Sequence, residues 1–134
     1  MTPEHALSEL KTGNLRYAEG RTTSLNEPED RRELVAGQLP IAAIIRCADS
    51  RVAPEIVFDQ PLGKLFVCAV AGNIPTHEIV ESIEYAVGHL GTRLIVVMGH
   101  SSCGAVTAAL QNEVVEGLFA QVALSPIPDL DECI

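Results

Sequence analysis

The sequence predicts an α/β fold in which a central, mostly parallel β-sheet is flanked by helices. Three short apolar runs, 41–45, 65–70 and 94–98, are continuous rather than alternating, as expected of strands buried on both faces of a parallel sheet. A helical stretch separates the second run from the third, and another follows the third. This alternation of strand and helix indicates right-handed crossovers, so we expect helices on both faces of the sheet.

Apolar residues at helical spacing predict the helices. The first begins at His5 and ends at Glu19, where Gly20 follows as a stop signal. The segment from Thr22 to Asp30 is polar and contains Pro28, so it is predicted to be a loop. The other predicted helices cover 31–36, 75 or 76 to 90, and 103–115, with a short one near 118–124.

The composition limits the class of protein. The chain has 134 residues, of which 47% are hydrophobic and 20% charged. We therefore predict a single domain over 1–134, with a helical arm at 1–36 and an acidic tail at 116–134. A net charge of −9 repels phosphate backbones and argues against nucleic-acid binding. No apolar run reaches about 20 residues and no signal peptide is recognised, so the prediction is a cytoplasmic protein without membrane binding.

Two polar clusters lie directly after apolar runs. One extends from Arg46 to Val52 and the other from Gly99 to Gly104. Ligands of open α/β sheets bind beyond the carboxyl ends of the strands, so the two clusters meet if their strands are neighbours. Cys47, His100 and Cys103 would then converge on one point.

Two thiolates and an imidazole suit Zn²⁺, which prefers tetrahedral nitrogen and sulfur ligands. Three protein ligands leave a fourth position for water or substrate, as in catalytic zinc sites. The N-terminus of the helix that follows favours the thiolate form of Cys103. From spacing alone an alternative stays open, in which Cys47 and Cys103 are small buried residues and His100 caps the helix.

Asp49 and Arg51 form a charged pair just beyond Cys47. Charged groups are costly to bury unless they are paired. If the loop is extended, alternate residues point the same way, and Arg51 would hold Asp49 ionised through a bidentate contact. Asp49 is then placed to accept a proton or a hydrogen bond from water in the fourth metal position. The alternative is a solvated surface ion pair, which contributes little.

Other kinds of site do not fit these residues. Cys103 stands where a serine nucleophile elbow needs its second glycine, and neither a P-loop nor a G-x-G-x-x-G motif is present. Cys68 falls within an apolar run and is predicted to be a core residue, and Cys133, in the tail, is assigned no role. Disulfides are the weaker interpretation of the four cysteines, because no leader is recognised.

The two clusters resemble the signatures of the β-class carbonic anhydrases. Residues 47–52 read C-A-D-S-R-V, which resembles the family's C-x-D-S-R-V signature, and residues 99–106 resemble its second signature. Supporting matches lie at 13–17, 37–40, 71–73 and 82–86. The resemblance extends over about residues 2–115.

The resemblance implies a role for each site residue. Zn²⁺ would be bound by Cys47, His100 and Cys103, with Asp49 and Arg51 as a catalytic dyad. In some members the aspartate swings onto the metal and switches the enzyme off, so Asp49 is also a conditional fourth ligand. The implied substrate-binding positions are Gln38, Phe66 and Gly104.

The activity implied by the resemblance is the zinc-dependent reversible hydration of carbon dioxide to bicarbonate and a proton. The family builds its site at a dimer interface, so the resemblance also implies a homodimer or higher homo-oligomer whose first helix embraces the partner. Two alternatives stay open. One is hydrolysis of carbon disulfide or carbonyl sulfide on the same fold, and the other is a truncated, non-catalytic zinc-binding fragment.

The sequence departs from the family pattern in two places. Ala69 stands where the family usually has an arginine, and the lost charge is expected to alter the pocket or the interface. The chain also ends at Ile134, before the strand and helices with which family members usually continue. One side of the sheet is therefore expected to lack its neighbour and to expose an edge or an apolar face.

Overall fold

Three parallel strands form the sheet in the computed structural model of the protein, which describes residues 1–24, 27–111, 117 and 121–122. β1 (Ala42–Cys47) is central, between β2 (Leu65–Val70) and β3 (Ile95–Met98). Because β1 pairs with β3 in parallel, the carboxyl ends of these two strands lie side by side. The predicted α/β fold with a parallel sheet is confirmed.

Five α-helices are present in the described part of the chain. Capping signals fix the ends of the longest helix. Thr2 caps its N-terminus by accepting a hydrogen bond from the backbone N–H of His5, and Gly20 follows its C-terminus at a φ of +66°. The helices are α1 (Pro3–Ala18), α2 (Pro28–Glu33), α3 (Pro54–Val57), α4 (His77–His89) and α5 (Gly104–Leu110). None of the described helices is long and apolar enough to span a bilayer.

Aliphatic side chains pack on both faces of the sheet, because consecutive residues of β1 point to opposite sides. Helix α1 covers one face, where the buried residues are Ala6, Leu10, Ile41, Ala42, Ile44 and Leu65. Helix α4 covers the other face, where the buried residues are Ala43, Ile45, Cys68, Ile79, Ile83 and Ala86. Cys68 is therefore a core residue, as predicted.

Strand β3 is less buried than its sequence predicts. Its apolar run predicts a strand covered on both faces, but Ile95 is 48% exposed and Val97 is 59% exposed. β3 lies at an edge of the sheet, and no strand among the described residues pairs with its outer side. The expected exposed edge and apolar face are thus present, and the predicted burial of this run on both faces is wrong.

Several element boundaries differ from the predictions. β1 continues beyond the apolar run, because Arg46 and Cys47 keep pairing with β2. Pro28 begins α2 instead of lying in a loop, since proline fits the first turn of a helix. A 3₁₀ turn at 50–52 and helix α3 were not predicted. The last part of the predicted helix 103–115, most of the one near 118–124, and Cys133 lie outside the described residues.

Hydrogen bonds anchor α1 to the last residue of α3 and to Asp59, which follows it. The side-chain amide of Asn14 donates to the carbonyl oxygen of Val57 at 3.0 Å, and Nε of Arg16 donates to Oδ2 of Asp59 at 2.5 Å. Asp59 is only 3% exposed. The same carboxylate accepts hydrogen bonds from the backbone N–H groups of residues 23 and 24, so it joins three segments of the chain.

We expect Gly13→Ala to destabilise the protein by about 1–3 kcal/mol, although alanine normally favours a helix interior over glycine by about 1 kcal/mol. A Cβ atom at this position would lie 1.8 Å from the carbonyl oxygen of Phe58, a backbone atom that cannot swing aside. The midpoint of urea-induced unfolding measures the effect. Gly88→Ala in α4 is the matched control and should raise the midpoint, because a Cβ there meets nothing within 4 Å. Similar shifts of the unfolding midpoint in the two variants would contradict the close approach of α1 to the backbone of Phe58.

Candidate metal centre

The carboxyl ends of β1 and β3 bring the two polar clusters together. Cys47 is the last residue of β1, and His100 lies in the loop that follows β3. Cys103 is the N-cap residue of α5 at the end of the same loop, which turns at Ser102 with a φ of +55°. The convergence of Cys47, His100 and Cys103 follows from the adjacency of the two strands.

The three side chains form a compact set of soft donor atoms. Sγ of Cys47 lies 3.8 Å from Sγ of Cys103, and each of the three residues offers a ligand atom within 4.8 Å of the other two. A tetrahedral zinc ion with Zn–S bonds of about 2.3 Å holds two thiolates about 3.8 Å apart. The sulfur separation therefore fits a shared metal ion, and both cysteines are free thiols.

The ring of His100 is oriented for metal binding. Nδ1 lies 3.0 Å from the carbonyl oxygen of Ser101. That oxygen can only accept a hydrogen bond, so Nδ1 carries the proton and Nε2 carries the lone pair. Nε2 is buried and has no hydrogen-bond partner among the described residues, as expected of a nitrogen that serves as a metal ligand. The alternative in which His100 caps α5 does not match, because the N-cap residue is Cys103.

Cys47 lies where its thiolate is stabilised. Burial raises the pKa of its thiol, but the neighbouring His100 ring, hydrogen bonds from the backbone N–H groups of Asp49 and Gly72, and the Cys103 thiol lower it by more, to about 7. The N–H of Gly72 lies 3.3 Å from Sγ. A thiol that ionises near neutral pH binds a metal with little cost of deprotonation.

Asp49 and Arg51 form an ion pair beside the ligand set. Arg51 donates from Nε to Oδ1 at 2.9 Å and from Nη2 to Oδ2 at 2.6 Å, which is the bidentate contact expected from the sequence. Oδ2 of Asp49 also lies 3.9 Å from Nε2 of His100. The side chain of Asp49 is 20% exposed against 63% for Arg51, so the carboxylate is the inner partner of the pair.

The loop that carries this ion pair turns at 50–52 instead of running extended, so the contact considered for an extended loop is made by a turn. Asp49 is the N-cap residue of the 3₁₀ turn at 50–52, and its Oδ1 accepts a hydrogen bond from the backbone N–H of Arg51 at 2.9 Å. Aspartate favours such positions because its side chain satisfies an otherwise free N–H. The side-chain and backbone hydrogen bonds from Arg51 hold the pKa of the Asp49 carboxyl well below its usual range. The group is therefore a hydrogen-bond acceptor at neutral pH.

The structure brings one of the three predicted substrate-binding positions next to the ligands. Gly104 follows Cys103 directly as the first residue of α5. Phe66 lies half-buried in β2, with its ring centroid 6.3 Å from that of Tyr85 on α4. Gln38 is exposed in the segment before β1, and within the described ranges no hydrogen bond joins it to the ligand set.

Two groups that contact the site were missed from the sequence. The backbone N–H of Gly72 has no side-chain signal. Arg46 had one, since it is a charged residue at the end of an apolar run, and its Nη1 donates to the carbonyl oxygens of Cys47 at 2.7 Å and Asp49 at 3.0 Å. The strand register pairs Arg46 with Ala69. Ala69 is the position at which the family usually has an arginine, so in this chain the guanidinium belongs to the neighbouring strand.

Comparison with known proteins agrees with this geometry. A family model described as carbonic anhydrase matches residues 42–131. Carbonic anhydrase 2 of Mycobacterium tuberculosis is 52% identical over 109 residues, which are 81% of this chain and 53% of the relative. A carbonic anhydrase of Mycolicibacterium smegmatis is 41% identical over 133 residues, which are 96% of this chain and 65% of the relative. The chain thus spans between about half and two thirds of the length of these curated relatives.

The fold is shared with solved structures of the same kind. One of two tetrameric β-carbonic anhydrases from the filamentous ascomycete Sordaria macrospora superposes with a TM-score of 0.65 at 31% identity, over 90% of this chain and 60% of the other. The match in sequence covers the strands and loops that carry the cysteines and the histidine, and the match in structure covers the sheet that positions them. The chain therefore belongs to the β-carbonic anhydrase family.

Proposed function

We propose that this chain catalyses the zinc-dependent reversible hydration of carbon dioxide to bicarbonate and a proton. The observation that carries the proposal is the set of Cys47, His100 and Cys103, whose ligand atoms lie within 4.8 Å of one another, beside the bidentate pair of Asp49 and Arg51. The relatives that the chain matches are named for this activity.

Zn²⁺ is the metal that the three donor atoms fit. Two sulfurs at 3.8 Å and an unpartnered, buried Nε2 on His100 match a tetrahedral site with one position left open. A zinc ion in such a site acts as a Lewis acid and makes water a nucleophile near neutral pH. Cysteine ligands stay reduced in the cytoplasm, which is where we place the protein.

Asp49 and Arg51 orient the reacting water. The ionised carboxylate of Asp49 can only accept a hydrogen bond, so it fixes the direction of the water's proton and leaves a lone pair free for carbon dioxide. Arg51 holds the carboxylate in place, and its Nη2 also lies 3.4 Å from the carbonyl oxygen of Ser102 in the other loop. If the hydrogen bonds from Arg51 to Asp49 break, Asp49 is close enough to the ligand set to become a fourth metal ligand. This would block the open position of the metal and switch the site off.

A homodimer or higher homo-oligomer would complete the substrate pocket. Carbon dioxide needs an apolar wall, for which Phe66 is suited, and bicarbonate needs hydrogen-bond donors such as the amide of Gln38 and the N–H of Gly104. Exposed apolar side chains on α1 support a partner contact, because Leu7, Leu15 and Tyr17 are 40%, 57% and 40% exposed. The Sordaria relatives are tetrameric.

The test is stopped-flow hydration of carbon dioxide by the zinc-loaded chain at alkaline pH, with metal content measured on the same sample. Alkaline pH is chosen because two thiolates donate more charge to the metal than imidazoles do, so water ionises at a higher pH. We expect catalysis by the parent and only the buffer rate with Cys47→Ser, which loses a metal ligand. A zinc-loaded parent without hydration activity would overturn the proposal, and turnover of carbon disulfide by that sample would identify the sulfur-containing substrate instead.

A further inference from the structure

We infer that Arg46 is a positioning residue of the metal centre, which holds the backbone of residues 47–49 in the conformation that presents Cys47 and Asp49. The inference rests on the proposed metal site. It concerns a side chain that is neither a candidate ligand nor a member of the Asp49–Arg51 pair.

The contacts of Arg46 point to the backbone. A single nitrogen, Nη1, donates to the carbonyl oxygen of Cys47 at 2.7 Å and to that of Asp49 at 3.0 Å. These two carbonyls flank Ala48, where the chain leaves β1 and enters the 3₁₀ turn. One charged donor therefore ties the two ends of this bend together, and charge-assisted hydrogen bonds of this kind are stronger than neutral ones.

The carbonyl contacts are the interactions that explain the position of the Arg46 guanidinium. Arg46 is half-buried at the end of the central strand, it forms no ion pair with a carboxylate in the part of the chain that the structure describes, and its Nε is buried without a hydrogen-bond partner there. A cation costs free energy at such a position unless hydrogen bonds compensate. The two carbonyl contacts are the compensation that the described residues provide.

The strand register leaves room for this arrangement. Arg46 is paired with Ala69 on one side and with Met98 on the other, and paired residues project on the same face of a sheet. The small side chain of Ala69 is exposed on the edge strand, so the guanidinium can fold back over the end of β1 towards the loop.

The experiment is titration of metal-free protein with Co²⁺, followed through the thiolate-to-cobalt charge-transfer absorption. Arg46→Met keeps the length of the side chain and removes the charge, and we expect Co²⁺ to bind about 10- to 100-fold more weakly, as when other groups that orient metal ligands are lost. Arg46→Lys should recover most of the affinity, because one ammonium nitrogen can donate to both carbonyls. Arg93→Ala is the matched control, since Arg93 is an exposed arginine that precedes β3 at the far end of the sheet.

Parent-like affinity and absorption in Arg46→Met would overturn the inference, and so would an equal loss in Arg46→Met and Arg46→Lys. Circular dichroism of the metal-free variants confirms that both are folded, and if Arg46→Met does not fold, Arg46→Ala takes its place in the comparison. The readout is independent of turnover. A parent that binds Co²⁺ but does not hydrate carbon dioxide would contradict the proposed function and leave the role of Arg46 to be decided by the titration.

Discussion

Asp49→Asn is expected to lower kcat for carbon dioxide hydration by about 10²- to 10⁴-fold and to leave zinc content nearly unchanged. Both oxygens of Asp49 are engaged by Arg51, with Oδ1 at 2.9 Å from Nε and Oδ2 at 2.6 Å from Nη2. An asparagine can keep only one of these acceptors. Its NH₂ group must then face either a guanidinium donor or the reacting water, and it cannot accept a hydrogen bond from either.

Stopped-flow rates and zinc analysis on the same preparation separate the two roles proposed for Asp49. Loss of rate with zinc retained supports the acceptor role, because Cys47, His100 and Cys103 are untouched. Loss of zinc together with rate would make Asp49 a permanent ligand, and an unchanged rate would remove it from the reaction. Glu81→Gln is the control for the change in charge, since Glu81 is a 63% exposed carboxylate on α4.

Asp59→Ala is expected to destabilise the protein by about 3–5 kcal/mol, the usual effect of removing one partner of a buried ion pair. The Asp59 side chain is 1% exposed and its partner Arg16 is 29% exposed. The substitution leaves Arg16 without its counter-ion and strips the acceptor from the N–H groups of Thr23 and Ser24. It also places alanine at a φ of +47°, which is strained for this residue. Urea-induced unfolding at neutral pH measures the loss.

Asp59→Asn isolates the contribution of the charge, because asparagine tolerates a positive φ and keeps one acceptor oxygen. Burial raises the pKa of Asp59, but hydrogen bonds from Arg16, Ser24 and Thr23 lower it by more, to about 2. A lowered carboxyl pKa stabilises the fold fully above about pH 4 and ceases to do so as the pH falls towards 2. The parent should therefore lose stability over this range more steeply than Asp59→Asn. Parallel pH profiles, or an unchanged midpoint in Asp59→Ala, would contradict the anchoring role.

Much of the fold could be predicted from hydrophobic patterning. The bounds of β2 were predicted correctly, because its apolar run ends where its pairing with β1 ends. The run in β1 ends at Ile45, however, and the strand continues through Arg46 and Cys47, since backbone pairing does not depend on apolar side chains. The 3₁₀ turn at 50–52 was missed for the opposite reason, because it depends on one side chain, Asp49, bonding to the backbone.

The convergence of the candidate site could be predicted because it depends only on strand order. Side chains at the carboxyl ends of adjacent parallel strands must meet, and this places Cys47 beside His100 and Cys103. The contacts that prepare the site could not be predicted in the same way. The N–H of Gly72 is a backbone group, and the reach of Arg46 to two carbonyls depends on a rotamer. Sequence patterns report which side chains share a region, while hydrogen bonds to the backbone follow from its local shape.

The outer edge of β3, with which no strand in the described part of the chain pairs, affects how the protein behaves at high concentration. The backbone groups on the outer side of Ile95–Met98 can pair with the same strand of another copy. Each copy carries a net charge of −9, so copies repel one another until salt shortens the Debye length to about 8 Å at physiological ionic strength. Colloidal stability thus depends on the negative charge of the chain. The carboxylates that argue against nucleic-acid binding also keep the sheet of one copy from pairing with the sheet of another.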